Sequence, residues 1–206
     1  MWFVKWLALP CTLVIHKSCK RGTLIAAKAY TPLPHRCSQS PHSSIMPHGF
    51  IIHGVKDALA AALGILESEQ KEVVWLVPPS VHSLATTLGF LEAMRAYVKR
   101  GGVSRGIVAV SRENVDEIRM SVESGEDIRH SDAVHEVFMY VGDKQKSVSA
   151  INIGVVEYTL DTPVAAFWSE DPTYAEYLLA AFETAWERAI PAQERIEELQ
   201  KEKKQR

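Results

Sequence analysis

From Val55 onward the apolar positions alternate between two periods. Val55, Ala58, Leu59, Ala62, Leu63 and Leu66 recur every three or four residues, which predicts a helix over 55–66. Glu72 to Val77 is a short β-branched run closed by Pro78-Pro79, the mark of a buried strand. Ser80 then stands as N-cap of a helix running to Arg100 on Leu84, Leu88, Leu91, Met94 and Val98, and stopped by Gly101-Gly102. Val103 to Val110 reads as the next strand. Ser111 caps a further helix through Val122, ended at Ser124-Gly125. This alternation implies parallel neighbours joined by right-handed crossovers.

Beyond Gly125 the pattern changes to hairpins. Asp127 to His130 is a short strand and Val134 to Val141 a longer one. Gly142 to Gln145 is a turn, and Lys146 to Ile153 the antiparallel return. Pro163 to Trp168 is another strand. Asp171-Pro172 opens a helix with Tyr174, Tyr177, Leu178, Ala181, Phe182, Ala185 and Trp186 on one stripe, broken at Ile190-Pro191. The tail AQERIEELQKEKKQR has only Ile196 and Leu199 as apolar seam, free to pair with a copy of itself or to pack on the domain. The expected fold is a single α/β domain with a mixed, mainly parallel sheet and helices on both faces. Ligands in such sheets sit outside the carboxyl ends of strands, here at Pro78-Pro79-Ser80 and at Ser111.

Charge divides the chain. Of its 23 Lys and Arg, six lie in residues 1–45, which hold no Asp or Glu; 17 basic against 25 acidic residues remain on 46–206, a net of −8. An acidic body repels phosphate backbones, so direct duplex DNA binding is not expected. Cys11, Cys19 and Cys37 all lie in the first segment, too few and too irregular for a disulfide framework. The segment has features of a secretory signal (WLALPCTLVI, then Ala27-Lys28-Ala29) and of a transit peptide. The reading favoured is a leader or disordered tail over 1–45, with Met46 as start, a body over 46–190 and a charged helix over 191–206. No apolar run is long enough to span a bilayer.

The stretch HEVFMYVGDKQKSVSAINI, 135–153, resembles the signature region of the phospholipase D superfamily: His-x-Lys, an Asp five residues after the Lys, then Gly-Ser-x-Asn past a turn. His135 stands at the histidine position and Asn152 at the asparagine position. Val137 replaces the lysine, Gly142 the aspartate with Asp143 one residue late, and Ser149-Ala150 the Gly-Ser pair. In that family the histidine is the nucleophile or acid, and lysine and asparagine hold phosphate oxygens. Phosphoryl transfer needs fixed cations or donors against the transferring charge, and Val137 supplies none.

A broader resemblance covers residues 46–198, on SGEDIRHSD, FMYVGDKQKSVSAINI, PVAAFWSEDPTYAEYL and FETAWERAIPAQERIEEL. These are similar to stand-alone phospholipase-D-like domains of archaeal regulatory proteins and to the sensory half of TrmB-type transcription regulators. The resemblance implies a cytoplasmic, non-catalytic sensor or regulatory domain in transcription or signalling, without cofactor, that binds a small molecule or a regulatory protein. A homodimer stays open. The alternative is a phosphodiesterase or nuclease assembling its site across a homodimer around His135. Candidate ligand contacts are His135, Asn152, His130, Arg129, Ser149 and Ser80. HSDAVHE (His130, Asp132, His135, Glu136) also has the residue types of a metal cluster, but its spacing divides the ligands between two faces, and no metal is expected. The favoured reading of Arg129 is a solvent-facing salt-bridge residue, and capping alone explains Ser80 and Ser111.

Overall fold

A computed structural model describes residues 49–68, 71–134, 137–151 and 157–205. Eight strands are described: β1 (Gly49–His53), β2 (Glu72–Leu76), β3 (Val103–Val108), β4 (Asp127–His130), β5 (Val137–Gly142), β6 (Lys146–Ile151), β7 (Ala165–Ser169) and β8 (Ile190–Pro191). They form one sheet in the order β1-β7-β6-β5-β2-β3-β4-β8. The helices are α1 (Val55–Ser68), α2 (Pro79–Thr87), α3 (Phe90–Lys99), α4 (Val115–Glu123), α5 (Pro172–Trp186) and α6 (Ala192–Lys204). The described residues are thus one α/β domain on a mixed sheet.

The parallel share is smaller than the sequence suggests. Only β2–β3 and β3–β4 are parallel, the pairs joined by helical crossovers. The other five pairings are antiparallel. The reason is the hairpin β5–β6, which enters beside β2 head to tail and fixes the direction of each strand added outside it. Its turn is tight because Asp143 and Lys144 both adopt positive φ, 45° and 61°, and Gln145 N–H bonds to Gly142 O at 2.9 Å. Two left-handed central residues are the mark of a type I′ turn. Asp143, placed one residue past the signature's aspartate, accepts from the N–H groups of Lys71 (3.1 Å) and Glu72 (2.8 Å). It clamps the start of β2.

Helices cover both faces unequally. Five of them join one core with the sheet residues Val73, Trp75, Val108, Ile128, Tyr140 and Val148. Among the described residues the other face has α5 alone, whose Ala175, Leu178, Phe182 and Trp186 pack on Val74, Leu76, Ile107, Met139 and Val141. The start of α5 is as expected, with the Asp171 carboxylate accepting from Thr173 N–H at 2.8 Å and Pro172 in the first turn. The seam of α6 is also settled. Ile196 and Leu199 are buried in the larger core, so that helix packs on its own domain.

Three local expectations fail for physical reasons. The helix expected from Ser80 to Arg100 is two helices, α2 and α3. Gly89 breaks it with φ of 87°, a left-handed conformation costly for other residues. Ser80 does not cap α2; Pro78 holds the N-cap position and Pro79 already lies in the first turn. Ser111 does not cap α4, whose N-cap is Asn114 after a turn over 112–114. The strand β1, directly after the Ser-, Pro- and His-rich stretch 31–48, has no counterpart among the expected elements.

Candidate binding groove at the strand ends

The register places the carboxyl ends of β1, β2, β3, β4 and β6 on the same rim as the amino ends of β5 and β7. The loops after β2 and β3 frame a groove of about 730 Å³ at this rim. Ser80, at the start of α2, lies in its wall, and its hydroxyl accepts from Tyr158 N–H at 3.2 Å. Ser111 lies across from it, in the β3–α4 connection. That connection is braced by Asn114, whose side-chain N–H₂ donates to Ala109 O (2.9 Å) while its carbonyl accepts from Ser111 N–H (2.8 Å). The sequence reading thus located both walls, although it expected the two serines to cap helices.

The groove is acidic. Glu113, Glu117 and Glu157 line it, and none of its described lining residues is Lys or Arg. Ser111 hydrogen-bonds Glu113, which with the residue's own backbone N–H holds that carboxyl below the usual glutamate range. Glu117 accepts from Ser83 Oγ at 2.6 Å. The His82 imidazole stands 3.8 Å from the same oxygen, beyond direct hydrogen-bond reach. The imidazole and the Ser83 hydroxyl hold the Glu117 carboxyl low, against the opposing effect of burial. Ser83, Glu117 and Glu157 escaped the sequence reading because each looks like an ordinary polar position on a helix or loop.

Behind α2 a polar chain runs into the core. Trp75, 2% exposed, packs on His82 with ring centroids 5.7 Å apart. Its indole N–H donates to Ser104 Oγ at 3.1 Å, and Ser104 donates to Glu126 at 3.0 Å. Burial raises the carboxyl of Glu126, which is 6% exposed. Burial and the Glu126 charge also raise the neighbouring phenol of Tyr140.

The remaining sequence candidates are dispersed. His130 is buried, and its Nδ1 accepts from Val110 N–H at 2.9 Å while Nε2 faces Asp132 at 3.5 Å. Burial lowers its pKa, opposed by Asp132, so the imidazole is a neutral brace between the ends of β3 and β4. Arg129 belongs to the opposite face of the sheet. It donates to Trp186 O at 2.9 Å and lies 4.3 Å over the Trp186 ring, at the carboxyl end of α5. Ser149 shares that face, its hydroxyl 2.8 Å from Tyr174 Oη. Val137, at the lysine position, pairs with Ile151, and both are exposed at the rim. His135, Glu136 and Asn152 lie outside the described residues. Among the described residues no three His, Cys, Asp or Glu side chains gather in a group able to hold a metal ion, and no helix is long and apolar enough to cross a membrane.

No family's sequence model and no curated protein matches the chain. Solved structures do match. TrmBL2, an archaeal chromatin protein with a novel mode of DNA binding, superposes with a TM-score of 0.55 at 15% identity, over 73% of this chain and 56% of that one. Nuc from Salmonella typhimurium, a phospholipase D family member, gives 0.51 at 14% identity, over 69% of this chain and 97% of Nuc. The described chain has a phospholipase-D-like fold. NucT from Helicobacter pylori agrees, with 0.52 at 9% identity over 69% of this chain and 98% of NucT. At such identities the likeness is one of fold. The match reaches little more than half the length of TrmBL2 and nearly all of Nuc and NucT.

Proposed function

We propose that this phospholipase-D-like domain is a non-catalytic regulatory module. It receives a small molecule or a protein partner at the strand-end rim, within a cytoplasmic sensing or transcriptional system. The acidic groove carries this reading. A phosphodiester and its transition state are anionic, and three lining carboxylates, with no lysine or arginine among the described lining residues, oppose both. Val137 in the lysine position adds no cation, and Asp143 is committed to the start of β2. The net −8 of residues 46–206 argues in the same sense against duplex DNA held by the general surface.

The fold shared with Nuc supports a second reading, a phosphodiesterase whose site is completed by another copy around His135 and Asn152. Hydrolysis of bis(4-nitrophenyl) phosphate by the full chain separates the two. The regulatory reading expects release of nitrophenolate at the buffer rate, unchanged in His135→Ala. Turnover that disappears in His135→Ala overturns it.

A further inference from the structure

A second cleft, of about 350 Å³, lies between α4 and α6. Its wall carries the cations Arg112, Arg119 and Lys203, and Val115 and Leu199 supply apolar surface beside them. Among the described residues the only carboxylate lining it is Asp116, already bonded to Arg119 at 2.9 Å. Lysines in the last turn of α6 are what any helix end favours. Arg112, in the turn before α4, and Arg119, on α4, lie outside that helix, so that explanation does not reach them. Nor does the general field, since residues 46–206 are net negative.

From this geometry we infer that the α4–α6 cleft is a binding site for a phosphate monoester borne on a flat apolar body, such as a nucleoside monophosphate. Guanidinium groups match phosphate oxygens in paired hydrogen bonds, and a guanidinium already serving one carboxylate keeps further N–H donors. Arg112 is bonded to Glu202 at 2.8 Å, but both side chains are nearly half exposed, a kind of pair worth little in water and readily exchanged. Glu202 released in this way still has Arg195 within 3.8 Å. Lys203 has no ion pair among the described residues. The volume lies at the lower end of small-ligand clefts, too large for bare phosphate and sized for a body seated against the half-buried Val115 and the small exposed edge of Leu199. This site is separate from the acidic groove and independent of the function proposed for it.

Calorimetric titration of the full chain at low salt with adenosine 5′-monophosphate, adenosine and inorganic phosphate tests the assignment. The expected result is saturable binding of the nucleotide, at least about tenfold tighter than either component, weakening as salt is added. The double variant Arg119→Gln, Lys203→Gln weakens it by about tenfold or more with an unchanged circular dichroism spectrum. Arg112→Gln provides the same readout should the double variant fold poorly. No saturable heat with the nucleotide up to about 5 mM overturns the inference, as does a smaller preference over inorganic phosphate, or full affinity in a folded variant.

Discussion

Replacement of Asp143 separates the two tasks this residue performs at the hairpin tip. Its carboxylate takes two backbone N–H groups at the start of β2. Partly exposed bonds of this kind are each worth about 0.5–1.5 kcal/mol, so losing both costs roughly 1–3 kcal/mol. Its φ of 45° adds a second cost for side chains that do not tolerate the left-handed region, about 1–2 kcal/mol for alanine. Glycine avoids that cost but loses more chain entropy on folding, about 0.5–1 kcal/mol. Asp143→Asn keeps an acceptor and a residue at ease with positive φ. The expected order of stability is therefore wild type, Asn, Gly, Ala, with Asp143→Ala down by about 2–5 kcal/mol. Urea unfolding followed by far-ultraviolet circular dichroism reads the series, and each kcal/mol corresponds to about 2–4 °C in Tm at this size. An alanine variant within about 0.5 kcal/mol of wild type, or equal to the asparagine variant, refutes the clamp.

Two further outcomes follow from the core. A Cβ on Gly106 would meet the Trp75 ring at 2.1 Å, and that ring is held by Tyr140 and His82, so Gly106→Ala should cost about 3 kcal/mol in urea unfolding. Gly64→Ala at an exposed position of α1, with open space around it, should instead gain about 0.5–1 kcal/mol; equal effects at the two sites would contradict this packing. Glu126 binds its proton more tightly folded than unfolded, so it stabilises the fold below the ordinary value of 4.5, and that contribution is lost as pH rises through its raised value. Glu126→Gln should therefore gain on wild type in unfolding midpoint from pH 4 to pH 8; a constant difference between the two proteins rules this out.

Much of the fold was legible because the signals were local. Asp171-Pro172 set the start of α5, the Val134–Ile153 stretch gave the hairpin, and the helix–strand alternation before Gly125 gave the parallel β2–β3 pairing, while the parallel β3–β4 pair lay beyond it. What escaped depended on contacts distant in sequence. Ser80 and Ser111 have capping chemistry, but Pro79 and Asn114 occupy the places where it would act. The antiparallel majority follows from where β5 enters the sheet, a tertiary choice with no mark in periodicity. At the candidate groove, the two strand-end walls could be read and the acidic lining could not. Glu117 matters only because Ser83 and His82, more than thirty residues earlier, are folded against it.

The lopsided cladding of the sheet has a consequence for handling the protein. Among the described residues one helix screens an entire side, and it is joined to β7 through the solvent-facing residues Glu170 and Asp171. Trimming at that link so that the helix departs would bare Val74, Leu76, Ile107, Met139 and Val141 in a single step. The remnant would be a sticky, precipitating species rather than a smaller working version of the domain.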